Sequence, residues 1–178
     1  ARAIADELRR KDLLDHRIDV VGYSMGGSVG FELCRQLEPV ARLSNLYILD
    51  KPIRPRGGLL AQQHAGDRLL EGFIAGKSVS EKLKAHLTRT MAQNIETVVK
   101  YVPHGTVSVP THLFVCTQEE EPVSLSEWAP YLRGERTVTK LDCSHDEVLA
   151  APHIDVVLAS LAANLAPTSR LDAAASVG

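Results

Sequence analysis

The chain has 178 residues, of which 44% are hydrophobic and 24% charged, and a formal net charge of -2. That length suits one domain with a real buried core, and the balanced charge excludes a strongly basic nucleic-acid binder. No apolar run approaches the roughly 20 residues that span a bilayer, and Ala1 to Glu7 lacks the basic and apolar regions of a signal peptide, so the expected setting is the cytoplasm without a membrane partner.

Residues 1–12 are predicted to form a helix with Ile4, Leu8 and Leu13 facing inward. Arg17 to Val21 reads as a buried strand, and it runs into Gly22-Tyr23-Ser24-Met25-Gly26-Gly27. A G-x-S-x-G spacing between a strand and a helix marks a sharp turn with a serine at its apex, and the glycines two before and two after are expected where side chains would clash. Gly30, Leu33, Cys34 and Leu37 then recur at helical spacing, so the required helix follows the turn. Leu43 to Leu49 is the next strand; it stops at Asp50, and Pro52 and Pro55 forbid further ladder pairing.

From Pro55 to Thr106 the alternation of strand and helix breaks. The segment, about 55–106, is read as an inserted helical lid. Its clearest helix is predicted to start at a capping box, Ser78-Val79-Ser80-Glu81, with Leu83, Leu87, Met91, Ile95, Val98, Val99 and Val102 along one face. Thr111 to Cys116 is a strand, followed by the acidic run Glu119-Glu120-Glu121. The last unit is a strand over Thr137–Leu141, the loop Asp142-Cys143-Ser144-His145-Asp146, and a helix from Ile154 to Leu165. Residues 166–178 read as a disordered tail. Strands alternating with helices predict an α/β class, a parallel sheet covered by helices. The three cysteines, Cys34, Cys116 and Cys143, lack metal-ligand spacing and read as reduced thiols. No metal is expected.

A serine hydroxyl attacks well only when an imidazole takes its proton, and the imidazole needs an acid to fix its tautomer. Seven histidines are available. His145 follows the last strand, at the edge of a parallel sheet where the serine turn also emerges. His64 and His86 fall in the lid, His112 inside a strand, His16 before the serine strand, and His104 and His153 on other loops. For the acid, Asp50 and the Glu119–Glu121 run both follow strands and both are sterically sensible. Three successive glutamates are more often a solvated loop, whereas Asp50 is a single carboxylate on an apolar strand, although a strand-end Asp is also a common turn former. Asp142 and Asp146 lie too close to His145 along the chain to stand behind its ring.

Val20-Val21-Gly22-Tyr23-Ser24-Met25-Gly26-Gly27-Ser28-Val29-Gly30-Phe31-Glu32-Leu33, Leu46-Tyr47-Ile48-Leu49-Asp50 and Ser144-His145 together resemble the thioesterase branch of the α/β-hydrolases, the thioesterases of nonribosomal peptide and polyketide synthases. The resemblance covers residues 1 to about 165. It implies an α/β-hydrolase sheet with a lid inserted behind the acid, and it carries the acid role onto Asp50 beside Ser24 as nucleophile and His145 as base. It also implies an acyl or peptidyl carrier protein as partner, its phosphopantetheine arm delivering the thioester, and no bound cofactor. The Met25 N–H, at the start of the helix, is expected to donate to the oxyanion.

The resemblance also implies early strands beside Arg17–Val21 and a loop with a second oxyanion donor. Only 23 residues precede Ser24. The expectation is therefore a missing N-terminal part or a second chain completing the sheet, since Arg17–Val21 would otherwise be an exposed apolar edge. Two other readings of the chain stand beside the thioesterase: a non-catalytic carrier-docking module on a truncated hydrolase fold, and a carboxylesterase.

Overall fold

A strand that is apolar at successive positions can be buried only between two layers, and Leu46-Tyr47-Ile48-Leu49 and Leu113-Phe114-Val115-Cys116 are both of this kind. Among the described residues four strands, β1 (Arg17–Tyr23), β2 (Arg42–Leu49), β3 (Thr111–Cys116) and β4 (Arg136–Leu141), form one sheet in the order β1-β2-β3-β4. Every pairing is parallel. The helices with both ends among the described residues are α1 (Arg2–Arg10), α2 (Met25–Leu37), α3 (Glu81–Lys100), α4 (Leu125–Trp128) and α5 (His153–Leu165), with a 3₁₀ turn at His145–Glu147. The computed structural model describes residues 1–53, 64, 66–67, 70–72, 74–119 and 122–165.

The alternation of the strands divides the core in two. Val20, Leu46, Ile48, Leu113 and Val115 face Phe31, Cys34 and Leu37 of α2, Ala5 of α1 and Trp128 of α4. Tyr47, Leu49, Phe114, Cys116 and Leu141 point to the opposite face, where they pack with Val148 and Val157. Each fully buried aliphatic or aromatic side chain contributes about 1.5–3 kcal/mol, so both layers hold the central strands. Among the described strands β1 lies at an edge, and Val21 on it is 50% exposed.

Local differences from expectation have physical causes. The inward stripe of α1 is Ala5 and Leu8, joined by the capping Ala1, while Ile4 is 45% exposed; the helix ends at Arg10, before Leu13 can join its face. The cap of α3 is Ser80, whose hydroxyl accepts the Leu83 N–H at 3.3 Å, so the helix starts two residues later than a box on Ser78 would place it. No residue of α3 is buried among the described residues, and Leu83 and Val102 are exposed. Gly66 fits against Met91 and Ile95, where a Cβ would collide with the Ile95 side chain. The remainder of the expected lid between 54 and 73, and the expected tail at 166–178, lie outside the described residues. The short helix α4 was not expected; its Ser124 and Glu127 form a capping box that the sequence Ser124-Leu125-Ser126-Glu127 spells out.

The serine turn is tight on one side only. A Cβ on Gly22 would fall on the Gly26 carbonyl, whereas a Cβ on Gly26 meets nothing within 4 Å. The expected clash at Gly26 is thus corrected: Gly26 supplies the backbone that Gly22 must clear. Gly27 is the second crowded position, with a Cβ there lying 2.9 Å from the Lys51 Cβ. Overpacking of this kind costs about 1–3 kcal/mol, and at Gly22 the obstacle is backbone. Thermal unfolding of single variants checks this: Gly22→Ala should be destabilised by about 3 kcal/mol, whereas Gly26→Ala, in the first turn of α2 with open space at its Cβ, should be unchanged or stabilised by up to about 1 kcal/mol, and equal midpoints would contradict the assignment.

Candidate active site

The chain leaves β1 at Tyr23 and enters α2 at Met25, so Ser24 must turn the backbone alone. It does so at φ 53° and ψ -125°, a conformation L-residues rarely adopt. Two bonds hold it there: Ser24 N–H donates to the Leu49 carbonyl at 3.0 Å, and the Ser24 carbonyl accepts Gly27 N–H at 2.9 Å. Met25 is the first residue of α2, so its N–H belongs to the first turn, whose donors lack partners within the helix.

Asp50 follows the last residue of β2 and is also left-handed, at φ 44°. Its N–H donates to the Phe114 carbonyl at 2.8 Å, and the residue is only 3% exposed. Oδ1 accepts the Cys116 N–H at 2.9 Å, and Oδ2 lies 2.7 Å from His145 Nδ1. Beyond Asp50 the chain is clamped again. Trp128 Nε1 donates to the Lys51 carbonyl at 2.7 Å, and Ile53 N–H donates to Glu127 Oε2 at 3.2 Å.

His145 opens the 3₁₀ turn after β4, with its N–H on Glu119 Oε1 at 2.7 Å. Its Nε2 lies 3.0 Å from Ser24 Oγ. The ring of Tyr23 stacks on it with centroids 4.9 Å apart and planes 24° apart, and the Tyr23 hydroxyl donates to the His145 carbonyl at 2.8 Å. The bond from Asp50 raises the His145 pKa above its ordinary 6.5, against the opposing effect of burial. For Asp50, burial pushes the carboxyl upward, but the bonds from His145 and the Cys116 N–H outweigh it and leave the group below its usual 3.8. A Ser24–His145–Asp50 relay with Nδ1–H directed to the carboxylate leaves Nε2 as the acceptor of a serine proton.

The other candidates sit elsewhere. His16, His64, His86 and His104 are exposed, His153 starts α5, and His112 bonds Thr137 Oγ1 at 2.8 Å and Asn45 Oδ1 at 3.2 Å. Glu119 meets the backbone N–H of His145, not its ring; Glu120 and Glu121 lie outside the described residues. Asp142 accepts from Thr117 Oγ1 at 3.3 Å. Cys116 and Cys143 place their sulfurs 3.6 Å apart in the core next to this relay, and both are free thiols, as is Cys34. Among the described residues no cluster of three His, Cys, Asp or Glu is placed to hold a metal ion, and no helix is long and apolar enough to cross a membrane. Sequence reasoning missed Tyr23, the Cys116 N–H and Glu119 as supports. Only Tyr23 carried a signal, an aromatic residue next to the serine.

No protein-family model matches the sequence, and no curated protein matches it. Solved structures do match in three dimensions. RedJ, a thioesterase from the prodiginine biosynthetic pathway of Streptomyces coelicolor, superposes with a TM-score of 0.71 at 20% identity, over 92% of this chain and 66% of RedJ. The thioesterase domain SrfTE, described for cyclization of the lipopeptide antibiotic surfactin, gives 0.68 at 18% identity over 90% of this chain and 74% of SrfTE. The Vlm2 thioesterase domain bound with a dodecadepsipeptide gives 0.67 at 22% identity over 90% and 71%. At such identities the likeness is one of architecture: the parallel sheet and its flanking helices have the α/β-hydrolase fold of these thioesterase domains.

Proposed function

We propose that the protein is a serine thioesterase that releases an acyl or peptidyl chain from the phosphopantetheine thioester of a carrier protein, by hydrolysis or macrocyclisation. The observation that carries this reading is the run of contacts from Ser24 Oγ to His145 Nε2 at 3.0 Å and from His145 Nδ1 to Asp50 Oδ2 at 2.7 Å. Its second support is the fold shared with SrfTE, Vlm2 and RedJ, together with the thioesterase domain NocB, whose structure holds a covalent fluorophosphonate nocardicin G analog.

Ser24 Oγ attacks the thioester carbonyl while its proton passes to His145 Nε2. The imidazolium is stabilised by Asp50. The Met25 N–H donates to the oxygen that becomes negative. Collapse of the tetrahedral intermediate breaks the C–S bond, the pantetheine sulfur takes the proton from Nε2, and an acyl-Ser24 ester remains. Water, or an amine or hydroxyl of the substrate itself, then gives up its proton to Nε2 and attacks the ester; Ser24 leaves and recovers that proton. The product is a free acid in the first case and a macrocycle in the second. In this reading α3 belongs to a lid over the acyl chain.

A fluorophosphonate probe should label Ser24 in the wild type and not in Ser24→Ala, and acyl-pantetheine thioesters should turn over faster than matched oxygen esters. A folded protein that takes no label overturns the reading, and preference for the oxygen ester makes it a carboxylesterase.

The pH dependence has a definite sign. Nε2 accepts a proton only when His145 is neutral, so kcat/KM should be lost as pH falls through the His145 pKa, with a midpoint above 6.5. Asp50→Asn removes the group that raises it. That variant should move the midpoint down and lower kcat by about 10⁴, as pH–rate profiles of the two proteins would reveal.

A further inference from the structure

Two contacts are enough to aim an imidazole at its partners, but not to hold it there. His145 reaches Ser24 with Nε2 and Asp50 with Nδ1, and the ring remains free to rock about the line joining those two bonds. Its backbone lies in a three-residue 3₁₀ turn beyond the end of β4, where its carbonyl accepts the Val148 N–H at a long 3.4 Å. A displacement of about 1 Å in such a group can cost 10²-fold in rate.

We propose that Tyr23, the residue before the serine, is the positioning residue of His145, fixing its ring by stacking and its main chain by a hydrogen bond. The ring contact, 4.9 Å between centroids at 24°, covers one face of the imidazole and blocks the rocking motion. The hydroxyl, 2.8 Å from the His145 carbonyl, fixes the peptide that carries the ring. Glu119 grips the same residue from its N–H side at 2.7 Å. Between them the backbone of His145 is held at both its polar atoms, one grip coming from the strand that bears the nucleophile.

The chemistry of the phenol suits this role. Burial, then the charges of Asp146 and Asp50, push the Tyr23 hydroxyl up to about 12, so it stays a donor through the neutral and mildly alkaline range. An aromatic face over the imidazole also favours its cationic form, which is the form His145 takes between proton uptake and proton return. Phenylalanine would supply the face without the bond, and an aliphatic residue neither.

This inference rests on the acyl-transfer reading, and its test keeps the two separable. Tyr23→Phe should lower kcat about tenfold with KM unchanged, and Tyr23→Leu should lower it about 10²-fold, both measured on an acyl-pantetheine thioester in the full chain. Tyr23→Leu should also move the acid limb of kcat/KM to lower pH by about half a unit, a change that a general loss of packing does not produce. Folded variants with wild-type kcat and an unmoved limb overturn the proposal. If Tyr23→Leu does not fold, Tyr23→Phe decides alone, because it keeps the ring: loss of kcat supports the proposal and wild-type kcat refutes it. If the wild type never acylates, the acyl-transfer reading fails, and the imidazole ¹⁵N titration of His145 by NMR still decides the positioning role. A midpoint lowered in Tyr23→Leu, or altered imidazole shifts in Tyr23→Phe, supports it; unchanged spectra in both overturn it.

Discussion

A carboxylate taken out of water is tolerated only where donors converge on it, and Asp50 imposes that condition on the whole C-terminal edge of the sheet. Its two oxygens draw in the Cys116 N–H from the end of β3 and His145 from the loop after β4. Its own N–H is spent on Phe114. One buried group thus ties β2 to β3 and to the last loop, and the position of the imidazole follows from it. The positive φ of Asp50 is part of the same arrangement, since aspartate visits the left-handed region more readily than most residues.

The surroundings are built to keep that carboxylate dry and still. Cys116 and Cys143 pack sulfur to sulfur in the same core layer as Phe114 and Leu141, and burial pushes the Cys116 thiol well up, so it acts as an apolar filler. On the other side the chain leaving Asp50 passes Lys51, whose stem lies against Gly27 and whose carbonyl is held by Trp128. Burial lowers the Lys51 pKa to about 8, with Glu127 acting against the fall. The helix α4 therefore does two things for the site: Trp128 and Glu127 both bind the main chain within three residues of the acid. A four-residue helix far along the sequence is thus part of what holds the acid in place.

Much of this was legible because it depends on short-range pattern. The strands over Thr111–Cys116 and Leu43–Leu49 are apolar runs of strand length with breakers beyond them, and the serine turn is a spacing that few other structures require. What was illegible depends on which atoms approach across the fold. Gly26 and Gly22 look equivalent in G-x-S-x-G, yet only a side chain at Gly22 meets backbone. Ser78 and Ser80 are both caps by composition, and the choice of Ser80 is made where the backbone turns extended, at φ -66° and ψ 148°. The acid was open between Asp50 and the glutamates because both follow strands. What separates them is that Asp50 Oδ2 reaches the ring while Glu119 Oε1 reaches the N–H of the same histidine, a distinction of a few ångströms that no spacing encodes.

The nucleophile strand is one of the two edge strands of the described sheet. Among the described strands β1 bonds only to β2, and Val21 faces solvent on it. An edge strand held by one ladder is free to flex at its end, yet the serine must keep its distance from a histidine carried on the opposite side of the sheet. The contacts at the end of β1 answer this directly: Ser24 N–H on Leu49, Tyr23 on the ring and carbonyl of His145, and Ser24 Oγ on Nε2. They join the edge strand to the loop after β4 across two intervening strands. The site is therefore also a fastening of the sheet: the contacts that align the nucleophile with its imidazole add a tie across the sheet to the ladder that already joins β1 to β2.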